Sequence, residues 1–135
     1  MYVHEHQIRV RYSETDQMSY VNNGAYASYL EVGRVEALRA LGLVYKDLEA
    51  TGVIMPVLEM NIKYFRPGRY DDLLTVKTIV NQMPSNRMRF DFEITNMEGV
   101  LITKAYTNLV FVDSKSGKPI QKPDIIEKAL SPYFN

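Results

Sequence analysis

Arg11-Tyr12-Ser13-Glu14-Thr15-Asp16-Gln17-Met18-Ser19-Tyr20-Val21-Asn22-Asn23-Gly24-Ala25-Tyr26 is the stretch on which the fold turns. It runs from a strand end, through an acid-bearing loop, to a helix start. Asn22 and Asn23 are both good N-cap types. The N–H groups of a first helical turn have no partner inside the helix. Those donors, with the positive end of the helix dipole, favour a developing negative charge. Asp16 stands a few residues ahead of them. A carboxylate beside an anion-stabilising helix end is what acyl transfer needs. A loop acid in an Asx-type hydrogen bond, followed by a plain Asn cap, fits the same residues.

On the N-terminal side, residues 4–12 alternate, with Ile8, Val10 and Tyr12 on one face, and predict a strand. On the C-terminal side Tyr26, Leu30, Gly33, Ala37 and Leu41 recur at helical spacing, a helix of about five turns. Gly42 sits where a left-handed terminating residue is expected. Tyr45 to Ala50 reads as a short second helix, stopped near Thr51-Gly52. The pattern then becomes strand-like. Residues 53–65 are rich in Val, Ile, Met, Tyr and Phe, and Arg66-Pro67-Gly68-Arg69 punctuates the run as a turn. Residues 73–83 and 87–95 alternate, Asn96-Met97-Glu98-Gly99 has hairpin composition, and 100–112 form a long apolar strand. Ser114 to Pro119 is a loop, and Pro123 to Leu130 resembles a terminal helix with Pro near its start. One early helix with strands at hairpin spacing predicts an antiparallel α+β sheet. The apolar stripe of the helix needs cover, and a sheet curled round it supplies that.

At 135 residues the chain is expected to form one domain, 1–135, with a real core. Sixteen Lys and Arg balance sixteen Asp and Glu. Nucleic-acid binding needs a basic excess on one face, and none is visible. With no cysteine, disulfides, thiolate metal sites and a thiol nucleophile drop out. His4 and His6 share one strand face without a third ligand type nearby, which argues against a metal site. They also leave no evident Ser-His-Asp arrangement. No apolar run approaches the roughly 18 residues of a membrane span. The opening Met1-Tyr2-Val3-His4-Glu5 lacks a basic-then-apolar leader pattern, so a cytoplasmic location is the expectation.

These residues resemble the hotdog-fold thioesterases, in particular the 4-hydroxybenzoyl-CoA thioesterase-like acyl-CoA thioesterases. The likeness covers nearly the whole chain. Its strongest piece is Tyr12-Ser13-Glu14-Thr15-Asp16 running to Tyr26, followed by Glu31-Val32-Gly33-Arg34-Val35-Glu36. A second piece, Tyr64-Phe65-Arg66-Pro67-Gly68-Arg69-Tyr70-Asp71-Asp72, is similar to the family's aromatic-Arg-Pro turn and acidic pair. The resemblance implies a five-stranded antiparallel sheet wrapped around one long central helix. It implies homodimers or homotetramers with sites at the dimer interface. It implies that Asp16 is the loop acid, and that a backbone N–H of Asn23 or Gly24 is the oxyanion donor. The chain departs from the pattern in three places. Many relatives have Gly where Ser19 stands, and His or Tyr where Asn23 stands. Val21-Asn22-Asn23 is similar to a segment of acyl-ACP thioesterases, but those carry Asn and His at the positions of Met18 and Tyr20. Some relatives also have a basic cluster for the CoA phosphates where this chain reads Pro84-Ser85-Asn86-Arg87, with one cation.

The candidate catalytic residues are therefore Asp16, Asn23, Gly24 and Glu31. Asp16 is a general base or a nucleophile, both roles being open to a carboxylate. Glu31, two turns into the helix, is either a second cleft carboxylate, as in some hotdog thioesterases, or half of an ion pair with Arg34. Tyr20, Tyr26 and Tyr29 are candidate acyl-pocket walls or ordinary packing, and Tyr64, Phe65 and Pro67 are candidate substrate contacts. Arg66, Arg69 and Arg87 are phosphate contacts or solvated charge. The expected activity is hydrolysis of an acyl-CoA thioester to a carboxylic acid and free CoA, without metal or redox cofactor. An acyl-ACP thioesterase and a non-catalytic acyl-thioester binder are the alternatives.

Overall fold

The computed structural model describes residues 1–134. Strand β1 (Tyr2–Arg9) leads through a single 3-10 turn at Tyr12–Glu14 into helix α1 (Asn23–Ala40). Helix α2 (Tyr45–Ala50) and strand β2 (Val53–Ile54) follow. The remaining strands are β3 (Val57–Tyr64), β4 (Leu73–Val80), β5 (Arg87–Thr95), β6 (Leu101–Val110) and β7 (Val112–Asp113). Helix α3 (Asp124–Leu130) comes last, ahead of a 3-10 turn at Ser131–Tyr133. Five strands form one antiparallel sheet in the order β1-β4-β5-β6-β3, and β2 pairs separately with β7.

Each predicted element is present; α2 and β5 keep their predicted ends, and others shift. The first strand stops at Arg9, because the chain turns away to begin the loop. The apolar run 53–65 is two strands. Pro56 has no N–H to give a ladder, and its carbonyl instead accepts from Val110 N–H at 3.1 Å. The third apolar segment breaks likewise, between Val110 and Val112, where β6 hands over to β7. Pro123 caps α3 from outside rather than opening it from within.

Helix α1 begins as the Asn pair implies. Asn22 is the cap, and its Oδ1 accepts from Ala25 N–H at 3.0 Å. Tyr26, Leu30, Gly33 and Ala37 are buried, as the helical spacing requires. The helix is 18 residues long and packs chiefly over β1 and β4. Gly33 permits this approach. A Cβ there would fall 2.7 Å from Val76 Cγ1 and 2.9 Å from Thr78 Oγ1, closer than packed atoms tolerate. At the far end Tyr2 Oη donates to the Ala37 carbonyl at 2.6 Å. These contacts draw α1 towards the β1 edge. Met60 and Tyr64 share the inner face with buried Thr107 and Thr103, their partners across the ladder, yet stay open to water. Instead of an evenly wrapped central helix, the structure therefore has α1 over one side of its sheet.

Candidate functional site

The loop that carries Asp16 is fixed by its own backbone. Asp16 N–H donates to the Tyr20 carbonyl at 2.8 Å, and Ser19 N–H donates back to the Asp16 carbonyl at 3.0 Å. Met18 and Tyr20 N–H groups donate to Asp16 Oδ1 at 2.9 and 3.1 Å. Ser19 takes φ +63° to close this turn. The left-handed region is free to glycine and strained for other residues, so serine holds this turn at a cost. The Asx-type hydrogen bonds expected of a loop acid are present. One oxygen makes the Asx-type bonds, while Oδ2 accepts no hydrogen bond among the described residues.

The helix start lies on the same cleft. Ala25 N–H is consumed by the Asn22 cap, whereas Asn23 and Gly24 N–H groups have no acceptor among the described residues. Asn22 is itself held, its N–H and Nδ2 both donating to the Glu14 carbonyl at 2.9 and 3.1 Å. The Glu14 side chain secures the other flank. Its Oε1 accepts from Tyr29 Oη at 2.9 Å and from Arg11 N–H at 2.8 Å, and Arg11 also pairs with Oε2 at 2.9 Å. Burial pushes the Glu14 carboxyl up, but the hydrogen bonds from Arg11 and Tyr29 outweigh it and hold it below the usual range. Burial, then Glu14, pushes the Tyr29 phenol well above its ordinary value.

Opposite the loop stands the turn that follows β3. Asp16, Tyr20, Val21, Asn23 and Tyr26 form one side of a cleft of about 290 Å³, and Tyr64, Phe65, Arg66 and Pro67 form the other. The structure therefore brings together most of the residues singled out from sequence. Tyr26 is buried with its ring edge-on to Tyr64, centroids 5.3 Å apart. Burial chiefly raises its phenol above the ordinary value. Arg69 does not line the cleft; its guanidinium lies 4.9 Å over the Tyr20 ring and braces it.

Tyr29, expected as an acyl-pocket wall, is also outside the lining, its hydroxyl spent on Glu14. Three more of the singled-out residues stand apart. Gly24 is next to the cleft rather than in its lining. Glu31 is exposed on α1 and makes no ion pair with Arg34 among the described residues, so the expected pairing is corrected. Arg34 is half-buried, and burial lowers its pKa against the opposing pull of Glu31 and Tyr45. Arg87 lines a different cleft, about 600 Å³, with Asn81, Ser85, Arg89 and Asn108. In the ladders Arg87 lies opposite Val110, whereas Tyr64 lies opposite Thr103. Those levels of β6 are about 23 Å apart at ~3.3 Å per residue.

Two supporting groups escaped the sequence reading. Glu14 carries no signal that separates it from a solvated loop acid. Gly68 reads as turn punctuation, although it is buried between the two walls. No cluster of three His, Cys, Asp or Glu that could hold a metal ion occurs among the described residues.

Comparison with known proteins gives a consistent picture. A model of the thioesterase-like superfamily matches residues 10–130. YneP of Bacillus subtilis (strain 168), provisionally named an acyl-CoA thioesterase, is 38% identical over 121 residues, 90% of this chain and 88% of that protein. The acyl-CoA thioester hydrolase YbgC of Escherichia coli O157:H7 is 32% identical over 119 residues, covering 88% of this chain and 89% of its own. The structure of a DHNA-CoA thioesterase from Staphylococcus aureus superposes with a TM-score of 0.92 at 32% identity, over 98% of this chain and 91% of that one.

Proposed function

Since the chain belongs to the thioesterase-like superfamily, we propose that it hydrolyses an acyl-CoA thioester to a carboxylic acid and free CoA at the Asp16 cleft. The observation that carries this is the pairing of unused groups. Among the described residues Asp16 Oδ2 accepts no hydrogen bond, and the Asn23 and Gly24 N–H groups, without acceptors there, open beside the same cleft. A thioester carbonyl oxygen set against those N–H groups would meet the positive end of α1 as it gains charge. As nucleophile, Oδ2 attacks the carbonyl carbon, the C–S bond breaks, and water then hydrolyses the acyl-Asp16 anhydride, releasing the acid and supplying the thiolate's proton. As base, Oδ2 takes a proton from the attacking water and returns it to the thiolate as the C–S bond breaks. In both routes the two Oδ1 hydrogen bonds keep the carboxylate aimed. Tyr20, Tyr26, Tyr64, Phe65 and Pro67 form the apolar wall for the acyl part, and Arg66 stands at the rim for the carrier. This chemistry calls for no metal or redox group.

The architecture that supports this reading is the hotdog arrangement of a single domain, with α1 as the principal helix inside the curve of the sheet. A homodimer completes it. Val57, Leu58 and Met60 on the edge strand β3 are exposed, and uncovered edges are normally paired or protected. Two copies joined antiparallel through β3 would bring the Arg87 end of one alongside the Tyr64 end of the other. Arg87 could then meet the CoA phosphates of the neighbouring site, a contact its own chain does not offer. A homotetramer would arise from two such dimers. A cytoplasmic setting, where acyl-CoA is made and consumed, suits this role.

The test is thiol release from a panel of CoA esters, short, long and aromatic, alongside the same acyl groups on acyl carrier protein. Turnover of at least one CoA class is expected. Preference for the protein carrier would move the assignment to an acyl-ACP thioesterase. Binding without thiol release from any ester would make the chain a non-catalytic acyl-thioester binder and overturn the proposal.

A further inference from the structure

The two walls of the cleft meet at one buried glycine. Gly68 N–H donates to Tyr26 Oη at 3.1 Å, and the Gly68 carbonyl accepts from Val21 N–H at 2.8 Å. A Cβ at Gly68 would lie 3.2 Å from Val21 Cγ2, 3.3 Å from Tyr26 Oη and 3.4 Å from Ile102 Cδ1. The seat therefore leaves little room for a side chain. Beside it, Tyr70 N–H donates to the Ser19 carbonyl at 2.9 Å. These backbone bonds tie the turn to the Asp16 loop. Tyr26 adds the helix, and so connects the turn to the element whose N-terminus faces the cleft.

From this geometry we propose that Tyr26 is a positioning residue for thioester hydrolysis: its hydroxyl holds Gly68, and through Gly68 sets the Phe65–Pro67 wall against Asp16 and the start of α1. The role rests on reading Asp16 and the helix N–H groups as the reacting groups. Tyr26 is 2% exposed, with Tyr64 and Tyr29 edge-on to its ring at 5.3 and 5.9 Å. It has little freedom to turn away. Without Oη, the Gly68 N–H is left buried and unpaired, an expensive state for a backbone donor. The turn gains most by shifting outward to water. That shift takes Pro67 and Val21 with it, and so disturbs both walls. A misplacement of about 1 Å in such a site costs on the order of a hundredfold.

The experiment compares Tyr26→Phe, Gly68→Ala and their double variant with Tyr2→Phe. Tyr2 also loses a buried hydroxyl bond, but at the far end of α1. In Tyr26→Phe, kcat is expected to fall about tenfold well below the melting temperature, with a smaller change in KM, as for a lost transition-state alignment. Tyr2→Phe should lower the melting temperature by a similar amount and retain its kcat. Gly68→Ala should repeat the kcat loss, and the double variant should lose no more than the worse single one, since both undo one seat. A kcat for Tyr26→Phe within twofold of the parent overturns the proposal. So does an equal kcat loss in Tyr2→Phe, or multiplied losses in the double variant. Asp16→Asn run alongside separates the two levels: retained turnover there defeats the functional reading itself, whereas lost turnover with an unaffected Tyr26→Phe defeats the positioning role alone.

Discussion

Between Tyr12 and Asn22 the backbone is bound at almost every turn: Asp16, Ser19, Val21 and Asn22 each donate or accept within the loop or to the Gly68 turn. Across the cleft, β3 leaves Leu58, Met60 and Tyr64 at 52%, 39% and 47% exposure. The edge strand β1 shows that this is no general property of edges. Its inner residue Tyr2 is buried and bonded to α1. The Asp16 side of the cleft is thus finished within one chain, while the β3 side is left open. On the proposed mechanism the reacting groups are preorganised by one chain alone. An apolar wall needs cover, and a second copy is the simplest source of it.

The sharpest way to break this contrast is Asp16→Asn. The amide oxygen can still accept from Met18 and Tyr20 N–H, so loop and assembly should persist. What vanishes is the base or carboxylate nucleophile. A loss of roughly a hundredfold or more in turnover is expected, read as thiol release with an unchanged melting curve. Near-normal turnover would detach the finished loop from the chemistry.

Much of the finished side was legible in advance because its signals are local. An Asn cap, a helical stripe and an acid a few residues upstream stand in one continuous stretch, and Asn22, Tyr26 and Asp16 occupy the places those signals imply. The strand β5 was readable to its ends for the same reason, since its alternation through Met88, Phe90, Phe92 and Ile94 is the burial pattern itself. What could not be read depends on contacts between distant segments. The Tyr26–Gly68 bond spans 42 positions and the Tyr29–Glu14 bond spans 15. The distance of Arg87 from the cleft follows from strand register, which its local sequence does not state. The break at Met55-Pro56 hid inside an apolar run whose composition suits a strand throughout.

The open side is tested at Met60. Met60→Glu places a carboxylate on the inner face of β3, where water already reaches in the single chain. Folding of the chain should therefore suffer little. In a dimer closed through β3 the same carboxylate is buried without a partner, which is costly. Sedimentation should show monomers where the parent shows dimers, and activity should fall on the order of tenfold as the acyl wall loses its alignment. A parent chain that is a stable, active monomer at micromolar concentration defeats the shared-site geometry outright.

Glu31→Gln sharpens the comparison by asking whether the exposed face of α1 takes part in catalysis. Glu31 lies outside the cleft lining and makes no ion pair with Arg34 among the described residues. Even a helix-surface pair would contribute only about 0.2–0.5 kcal/mol. A change in kcat of no more than about twofold is expected on that scale. A loss larger than that of Asp16→Asn would transfer the primary acid to the helix and reverse the two sides.

The smallest expected effect concerns how the finished loop is held. Ser19 stands at φ +63°, a conformation that costs an L-residue about 1–2 kcal/mol. Glycine removes that strain but adds freedom to the unfolded chain, worth roughly 0.5–1 kcal/mol in the opposite direction. Ser19→Gly should therefore raise stability by about 0.5 kcal/mol, a shift of roughly 2 °C in melting temperature for a chain of this size. The backbone groups of residue 19 keep their bonds to Asp16 and Tyr70, so kcat should not change. Ser19→Val is the counterpart, because a branched side chain resists the left-handed region more strongly. It should destabilise the loop and lower kcat together, by releasing the Tyr20 N–H from Asp16 Oδ1. Equal melting temperatures and equal kcat for the glycine and valine variants would show that the turn at Ser19 does not hold the carboxylate in place.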